Sequence, residues 1–97
     1  MAEIRWTDEA ATWLEDIHSY IAQDNPGAAA RVVRGIYDKV QILAEFPEMG
    51  YRYRTEPEGD IRVLLYGHYR IAYLVRGSKT VEILGVFHGA MEIDRYL

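Results

Sequence analysis

The stretch from residue 61 to residue 76 constrains the fold more strongly than any other part of this sequence. Two apolar runs, 61–66 and 69–76, are separated only by Gly67 and His68. Side chains alternate in character along the second run, which is typical of a strand with two different faces. A glycine at the first of two turn positions favours a type II′ hairpin. Such a hairpin pairs Leu65 with Arg70, whereas one extra turn residue would exchange the two faces.

Further strands are predicted on both sides of this hairpin. Thr80–His88 follows after a turn at residues 77–79, and Glu3–Trp6 is a short alternating run that fits an edge strand. The stretch 48–60 has no clean period and contains Gly50, Pro57 and Gly59, so it is predicted to be a loop. The last residues, 89–97, are predicted to form at most a short helical turn.

Two amphipathic helices are predicted between the first strand and this loop. Thr7 is suited to cap the first helix, and Asn25 followed by Pro26 is suited to begin the second. Apolar residues recur at three- and four-residue spacing in both helices. The first stripe is Ala10, Trp13, Leu14, Ile17, Tyr20 and Ile21, and the second is Ala29, Val32, Val33, Ile36, Tyr37, Val40, Leu43 and Ala44.

This order of elements predicts a two-layer α+β fold. An N-terminal strand precedes an antiparallel helical hairpin, which packs on one face of a mainly antiparallel sheet that ends in a three-stranded meander. The length of 97 residues suits a single domain, 1–97.

Both faces of the predicted sheet are largely apolar, but the helices can cover only one of them. The second face would therefore be exposed, and an exposed apolar surface usually marks a protein partner. The residues predicted to form this docking surface are Ile61, Val63, Leu65, Arg70, Ala72 and Leu74.

Composition excludes several classes of site. The chain has no cysteine, and its three histidines, His18, His68 and His88, match no metal motif. The sequence also contains no phosphate loop, dinucleotide fingerprint or G-x-S-x-G nucleophile motif. We therefore expect neither a metal nor a cofactor.

Charge and hydropathy limit the partners and the compartment. The formal net charge of −4 is unfavourable for direct DNA binding by this chain. No apolar run approaches the roughly 20 residues that a membrane span requires. The N-terminal residues lack the basic and apolar parts of a signal peptide. These features predict a cytoplasmic protein without a membrane partner.

Several short stretches occur in an order and at a spacing that resemble the RelE/ParE toxin superfamily of bacterial toxin–antitoxin systems. The stretches are Trp6-Thr7, Tyr20-Ile21, Asn25-Pro26, Ala28-Ala29, Leu43 to Pro47 with Gly50 after it, Ile61-Arg62-Val63-Leu64, Tyr69-Arg70-Ile71-Ala72-Tyr73 and Val86-Phe87-His88-Gly89. The resemblance covers nearly the whole chain. It implies an antitoxin that wraps over the toxin and holds it inactive.

The resemblance leaves three activities open. RelE-like members cleave mRNA on the ribosome without a metal, and the matching candidates for catalysis are Arg70, His88 and Tyr96. ParE-like members poison DNA gyrase, for which the target-binding candidates are Arg52, Arg54, Met91 and Tyr96. A third reading is an inactive family member that only binds its partner.

The sequence resembles ParE-like toxins more than RelE-like ones. The ungapped hairpin places Ile61, Val63 and Leu65 where a RelE-like nuclease would carry basic residues. The last strand is followed by His88-Gly89-Ala90-Met91, without the arginine that RelE-like members carry there. A gyrase-binding toxin is therefore the leading prediction, and a metal-independent endoribonuclease is the alternative.

Overall fold

The computed structural model describes residues 1–77 and 79–97, so Ser78 in the predicted turn lies outside the described residues. The strands are β1 (Glu3–Trp6), β2 (Tyr51–Glu56), β3 (Gly59–Tyr66), β4 (Tyr69–Arg76) and β5 (Thr80–His88). The helices are α1 (Asp8–Ala22) and α2 (Pro26–Gln41), and two 3-10 turns follow at Ile42–Ala44 and Ile93–Arg95.

The five strands form one sheet in the order β1-β5-β4-β3-β2. β1 runs parallel to β5, and all other neighbouring strands are antiparallel. The two helices pack against each other, and α1 also packs along β5. The predicted α+β architecture is thus confirmed.

The hairpin between β3 and β4 has the two-residue turn that the sequence favours. Tyr66 pairs with Tyr69, and Leu65 pairs with Arg70. Gly67 has a φ of +55°, which agrees with the first central position of a type II′ turn. This register fixes which residues lie on the helix-covered face of the sheet, called here the first face, and which lie on the opposite, second face.

Both predicted helix caps are present. The Thr7 hydroxyl accepts a hydrogen bond from the Ala10 amide at 3.1 Å and donates one to the Ile83 carbonyl at 2.7 Å. The second bond joins the start of α1 to β5. The Asn25 side chain accepts from the Ala28 amide at 3.0 Å, and Pro26 is the first residue of α2. These caps satisfy amides that would otherwise lack a partner in the first helical turn.

The prediction of a loop over residues 48–60 is wrong, because β2 lies within that range. β2 pairs with β3 and adds a fourth strand to the predicted three-stranded meander. A register shift between Arg52 and Arg54 breaks the two-residue alternation that would have revealed the strand. Gly59, with a φ of +151°, lies at the turn into β3, so the glycine and proline signals mark a hairpin rather than a long loop.

The first face carries the larger part of the core. Ile36 and Val40 of α2 and Leu43 after it are fully buried against the sheet. The sheet residues that meet them are Leu64, Ile71, Tyr73, Val81, Ile83 and Val86.

Tyr73 joins this core to the loop that precedes β2. Its hydroxyl accepts a hydrogen bond from the Gly50 amide at 2.8 Å and donates one to the Pro47 carbonyl at 2.8 Å. A Cβ on Gly50 would lie 2.6 Å from the Val63 carbonyl oxygen, so only glycine allows this close approach. Burial is the main reason why the pKa of Tyr73 is raised above its ordinary value of 10.0.

We expect Tyr73→Phe to lower the free energy of unfolding by about 1–3 kcal/mol at neutral pH, because it leaves the buried Gly50 amide without a partner. Since the raised pKa keeps the native phenol neutral, the unfolded chain ionises first as the pH rises above about 10. Wild-type stability should therefore decline above that pH, and the variant should lose this part of the decline. Urea unfolding at pH 7 and above pH 10 measures both effects. Tyr51→Phe is the control, because Tyr51 is 49% exposed, and an equal loss in that control would contradict the assignment.

Candidate functional site

The C-terminal segment, residues 89–97, lies across the second face of the sheet. Ile93 is only 3% exposed and packs in a cluster with Val63, Ala72 and Phe87. Met91 and Leu97 pack at the margin of this cluster. The chain therefore covers its own second face with a short segment that contains one 3-10 turn.

Arg70 holds the beginning of the C-terminal segment in place. Its guanidinium Nη2 donates to the Gly89 carbonyl at 3.4 Å and also to the Met91 carbonyl. The Arg70 Nε is buried and has no hydrogen-bond partner among the described residues. No carboxylate of the described residues lies within ion-pair distance of Arg70, so backbone carbonyls take the place of an acidic partner.

Arg54 holds the other end of the same segment. Its Nη2 donates to the Leu97 backbone oxygen at 2.8 Å, while its Nε contacts the Glu56 carboxylate at 2.7 Å. β4 and β2 thus each contribute one arginine that bonds backbone oxygens of the C-terminal segment. Charged donors form stronger hydrogen bonds than neutral ones, so both contacts favour the docked position.

Three aromatic rings pack together where the end of the C-terminal segment meets α1. Trp13 makes edge contacts with Phe87 and Tyr96 at centroid distances of 4.9 and 5.0 Å, and Phe87 stacks on Tyr96 at 5.4 Å. The Phe87 ring lies over Gly85, where a Cβ would come within 2.3 Å of the Phe87 Cζ. Gly85 is thus needed for the ring to lie flat against β5.

The expectation that the second face is open to a partner is wrong. Ile61, Val63, Ala72 and Leu74 are buried, none more than 6% exposed, beneath side chains of the same molecule. Leu65 is 56% exposed, and Arg70 is partly buried under the carbonyls that it binds. The sequence did not reveal that residues 89–97 cover this face, because a nine-residue segment with one buried isoleucine has no recognisable periodicity. Antitoxin contact with these six residues stays a prediction.

Of the three candidates for a ribonuclease, Arg70 and His88 line one groove of about 390 Å³ at the turn end of β4, and the lining of this groove does not include Tyr96. His88 pairs with Tyr69 and contacts its ring at 5.9 Å, so its side chain lies on the face of the sheet opposite Arg70. Its Nδ1 accepts from the Ala90 amide at 3.3 Å, and its ring stacks on His68 at 6.4 Å. The Tyr96 ring packs against Trp13 and Phe87.

The target-binding candidates fall into separate places. Arg54 and Tyr96 line one groove of about 410 Å³, together with Leu97. Arg52 is directed to the other face of β2, where it contacts the Asp60 carboxylate at 3.3 Å. Met91 lines a different groove beside α1.

This second groove was not predicted from the sequence. It has a volume of about 520 Å³ and is formed by α1, the ends of β4 and β5, and the C-terminal segment. Its lining residues are Trp13, Asp16, Ile17, Tyr20, Tyr69, Val86, His88 and Met91. The helical spacing of Trp13, Ile17 and Tyr20 predicted a core stripe, but Tyr20 is 76% exposed, so its assignment to the core is wrong. The ring stands at the rim of the groove instead of beneath the sheet.

The described residues contain neither a metal-binding cluster nor a membrane-spanning helix. No group of three or more His, Cys, Asp or Glu side chains is arranged to hold a metal ion within residues 1–77 and 79–97. No helix in the same residues is long and apolar enough to cross a membrane.

Comparison with known proteins gives one consistent result. Residues 4–93 match the sequence model described as the ParE toxin of the type II toxin–antitoxin system parDE. A protein of Sinorhizobium fredii, provisionally named toxin Y4kP, is 44% identical over 94 residues, which cover 97% of this chain and 95% of the relative. A solved structure described as the chromosomal ParDE toxin–antitoxin system from P. aeruginosa superposes with a TM-score of 0.74 at 26% identity. It covers 91% of this chain and 96% of that one.

We expect Arg70→Met to release the C-terminal segment, because the substitution removes the donor to the Gly89 and Met91 carbonyls. Amide hydrogen exchange in residues 89–97 should become faster by about tenfold or more, since hydrogen bonds to charged groups contribute about 1.5–3 kcal/mol each. Arg52→Met is the matched control, because Arg52 contacts only the Asp60 carboxylate at the surface. Equal protection of this segment in wild type and in Arg70→Met would contradict the role assigned to Arg70.

Proposed function

Because the chain belongs to the ParE toxin family of type II toxin–antitoxin systems, we propose that it stops growth by binding DNA gyrase and that a cognate antitoxin holds it inactive. Gyrase acts in the cytoplasm, which is where we place the protein. In this proposal the toxin acts by binding to its target and catalyses no reaction itself.

The hydrogen bonding of Arg70 is the observation that carries this proposal. A metal-independent nuclease must place cations against the negative charge that develops on the phosphate. Arg70 instead donates to the Gly89 and Met91 carbonyls, and although His88 lines the same groove, its side chain projects from the opposite face of the sheet. These positions support a binding toxin over a ribosome-dependent endoribonuclease.

The groove lined by Arg54, Tyr96 and Leu97 is our candidate for the gyrase contact. Tyr96 is 49% exposed there, and a partly exposed aromatic ring beside an arginine is a composition common at the energetic centre of protein interfaces. Arg52 lies on the same strand as Arg54, and with Met91 it completes the set of target-binding candidates that we retain.

We expect the purified protein to inhibit supercoiling by gyrase, or to trap gyrase on cleaved DNA. Tyr96→Ala should require on the order of tenfold more protein for the same effect, because truncation of a central interface aromatic commonly costs more than 1 kcal/mol. Tyr51→Ala is the control, since Tyr51 is equally exposed but is not among the residues that line this groove.

Two results would contradict the gyrase proposal. The first is a folded wild-type protein that leaves gyrase unaffected over a wide concentration range. The second is codon-phased cutting of mRNA on ribosomes that disappears in Arg70→Ala, which would establish the endoribonuclease. Expression that leaves growth unchanged would indicate an inactive member of the family.

We expect the product of the reading frame adjacent to this gene to bind the protein and restore growth. Because the described chain buries most of its second face, the antitoxin should engage surfaces that are exposed in the free toxin. Co-expression followed by size-exclusion chromatography with light scattering measures the complex and its stoichiometry. Separate elution of the two folded proteins, together with unrelieved growth arrest, would refute the pairing.

A further inference from the structure

The groove between α1 and the C-terminal segment combines core residues with two exposed side chains of α1, Asp16 and Tyr20, that the core does not require. Trp13 is three and four residues before Asp16 and Ile17, and Tyr20 is four and three residues after them, so the four side chains lie on one face of α1 and form one wall of the groove. Tyr69, Val86 and His88 form the opposite wall. The result is an open space lined mainly by rings and aliphatic side chains.

A single carboxylate is placed among these rings. Asp16 is exposed and makes no ion pair with any described residue. It lies between Trp13 and Tyr20 in helical spacing, and Tyr20 is 76% exposed. α1 carries Asp8, Glu9, Glu15 and Asp16 but no Lys or Arg, so the potential beside the groove is negative.

Met91 forms the end of the groove nearest the C-terminal segment, and Arg70 holds it there. The Arg70 guanidinium donates to the Met91 carbonyl from the second face of the sheet, so this cation is already engaged. This end of the groove is therefore closed only while the C-terminal segment is docked.

Aromatic faces next to an unpaired carboxylate suit one kind of side chain. The aliphatic stem of an arginine or lysine packs on Ile17 and Met91, and its cationic head lies against the rings and the Asp16 carboxylate. An acidic segment or a nucleic acid phosphate would be repelled by the charge of α1. The lining therefore selects a basic residue within an otherwise apolar segment.

We propose that this groove binds an arginine or lysine side chain of the antitoxin, flanked by apolar residues that contact Tyr20 and Met91. This inference rests on the proposed function, because it takes the antitoxin as the partner. Charge complementarity identifies the occupant, since the antitoxin segment must bring the positive charge that α1 lacks.

The test measures binding of the full toxin to the purified product of the adjacent reading frame by isothermal titration calorimetry. Asp16→Asn should weaken binding about two- to fivefold, and Tyr20→Ala about tenfold, as expected for a lost ion pair and a lost cation–π contact. Wild-type binding should also weaken with added salt more steeply than binding by Asp16→Asn. Asp38→Asn on α2 and Tyr51→Ala on β2 are the matched controls and should bind like wild type.

The outcomes separate this inference from the proposed function. If folded wild-type toxin does not bind the antitoxin, the proposed function fails. If wild type binds and Asp16→Asn and Tyr20→Ala bind equally well, the groove assignment is overturned while the pairing stands. Circular dichroism melting curves confirm folding, because both side chains are exposed and their replacement leaves the core intact. Substitution of each antitoxin Arg and Lys by Met should then identify one position whose effect disappears in the Asp16→Asn background.

Discussion

A sheet with two apolar faces needs a cover on each, and this structure depends on how the chain provides the second one. The helical hairpin covers the first face, and the C-terminal segment covers the other with Ile93 at its centre. Few apolar side chains hold this segment, so hydrogen bonds from Arg70 and Arg54 to its carbonyls contribute much of its attachment. Segments with so few buried contacts belong to the less stable parts of a fold. The position of this segment therefore governs which surfaces the molecule presents.

Both candidate interaction grooves are built partly from the C-terminal segment. Tyr96 and Leu97 contribute to the groove beside Arg54, and Met91 contributes to the groove beside α1. From the sequence, Arg70 is a candidate for a catalytic cation. In the structure it donates to the Met91 carbonyl and thereby fixes the position of Met91. The two surfaces that we propose for the target and for the antitoxin thus both depend on the packing of one short segment.

Among the described residues, the charged side chains of the sheet are mostly paired, whereas those of α1 are not. Most arginines of the sheet half contact carboxylates, as Arg52 does with Asp60, Arg54 with Glu56 and Arg76 with Glu82. Such exposed pairs contribute little to stability, about 0–1 kcal/mol each, but they neutralise what would otherwise be a basic surface. The carboxylates of α1, in contrast, have no ion-pair partner among the described residues. The molecule therefore presents a negative helix rather than a positive sheet, which suits protein partners better than nucleic acid.

The sequence by itself determined the features that arise from neighbouring residues. Caps at Thr7 and Asn25, the period of β4 and the glycine of the 67–68 turn are local signals, and they gave the helix starts, the strand and the hairpin register. The tertiary structure decided what depends on segments far apart in the chain. The bulge in β2 broke the alternation that would have revealed this strand, and Tyr20 lies at a groove formed by α1, β4, β5 and the C-terminal segment. The role of Arg70 appears only when residues 89–97 fold back over it. No local pattern encodes these contacts, because burial and hydrogen-bond partners are set by packing across the whole fold.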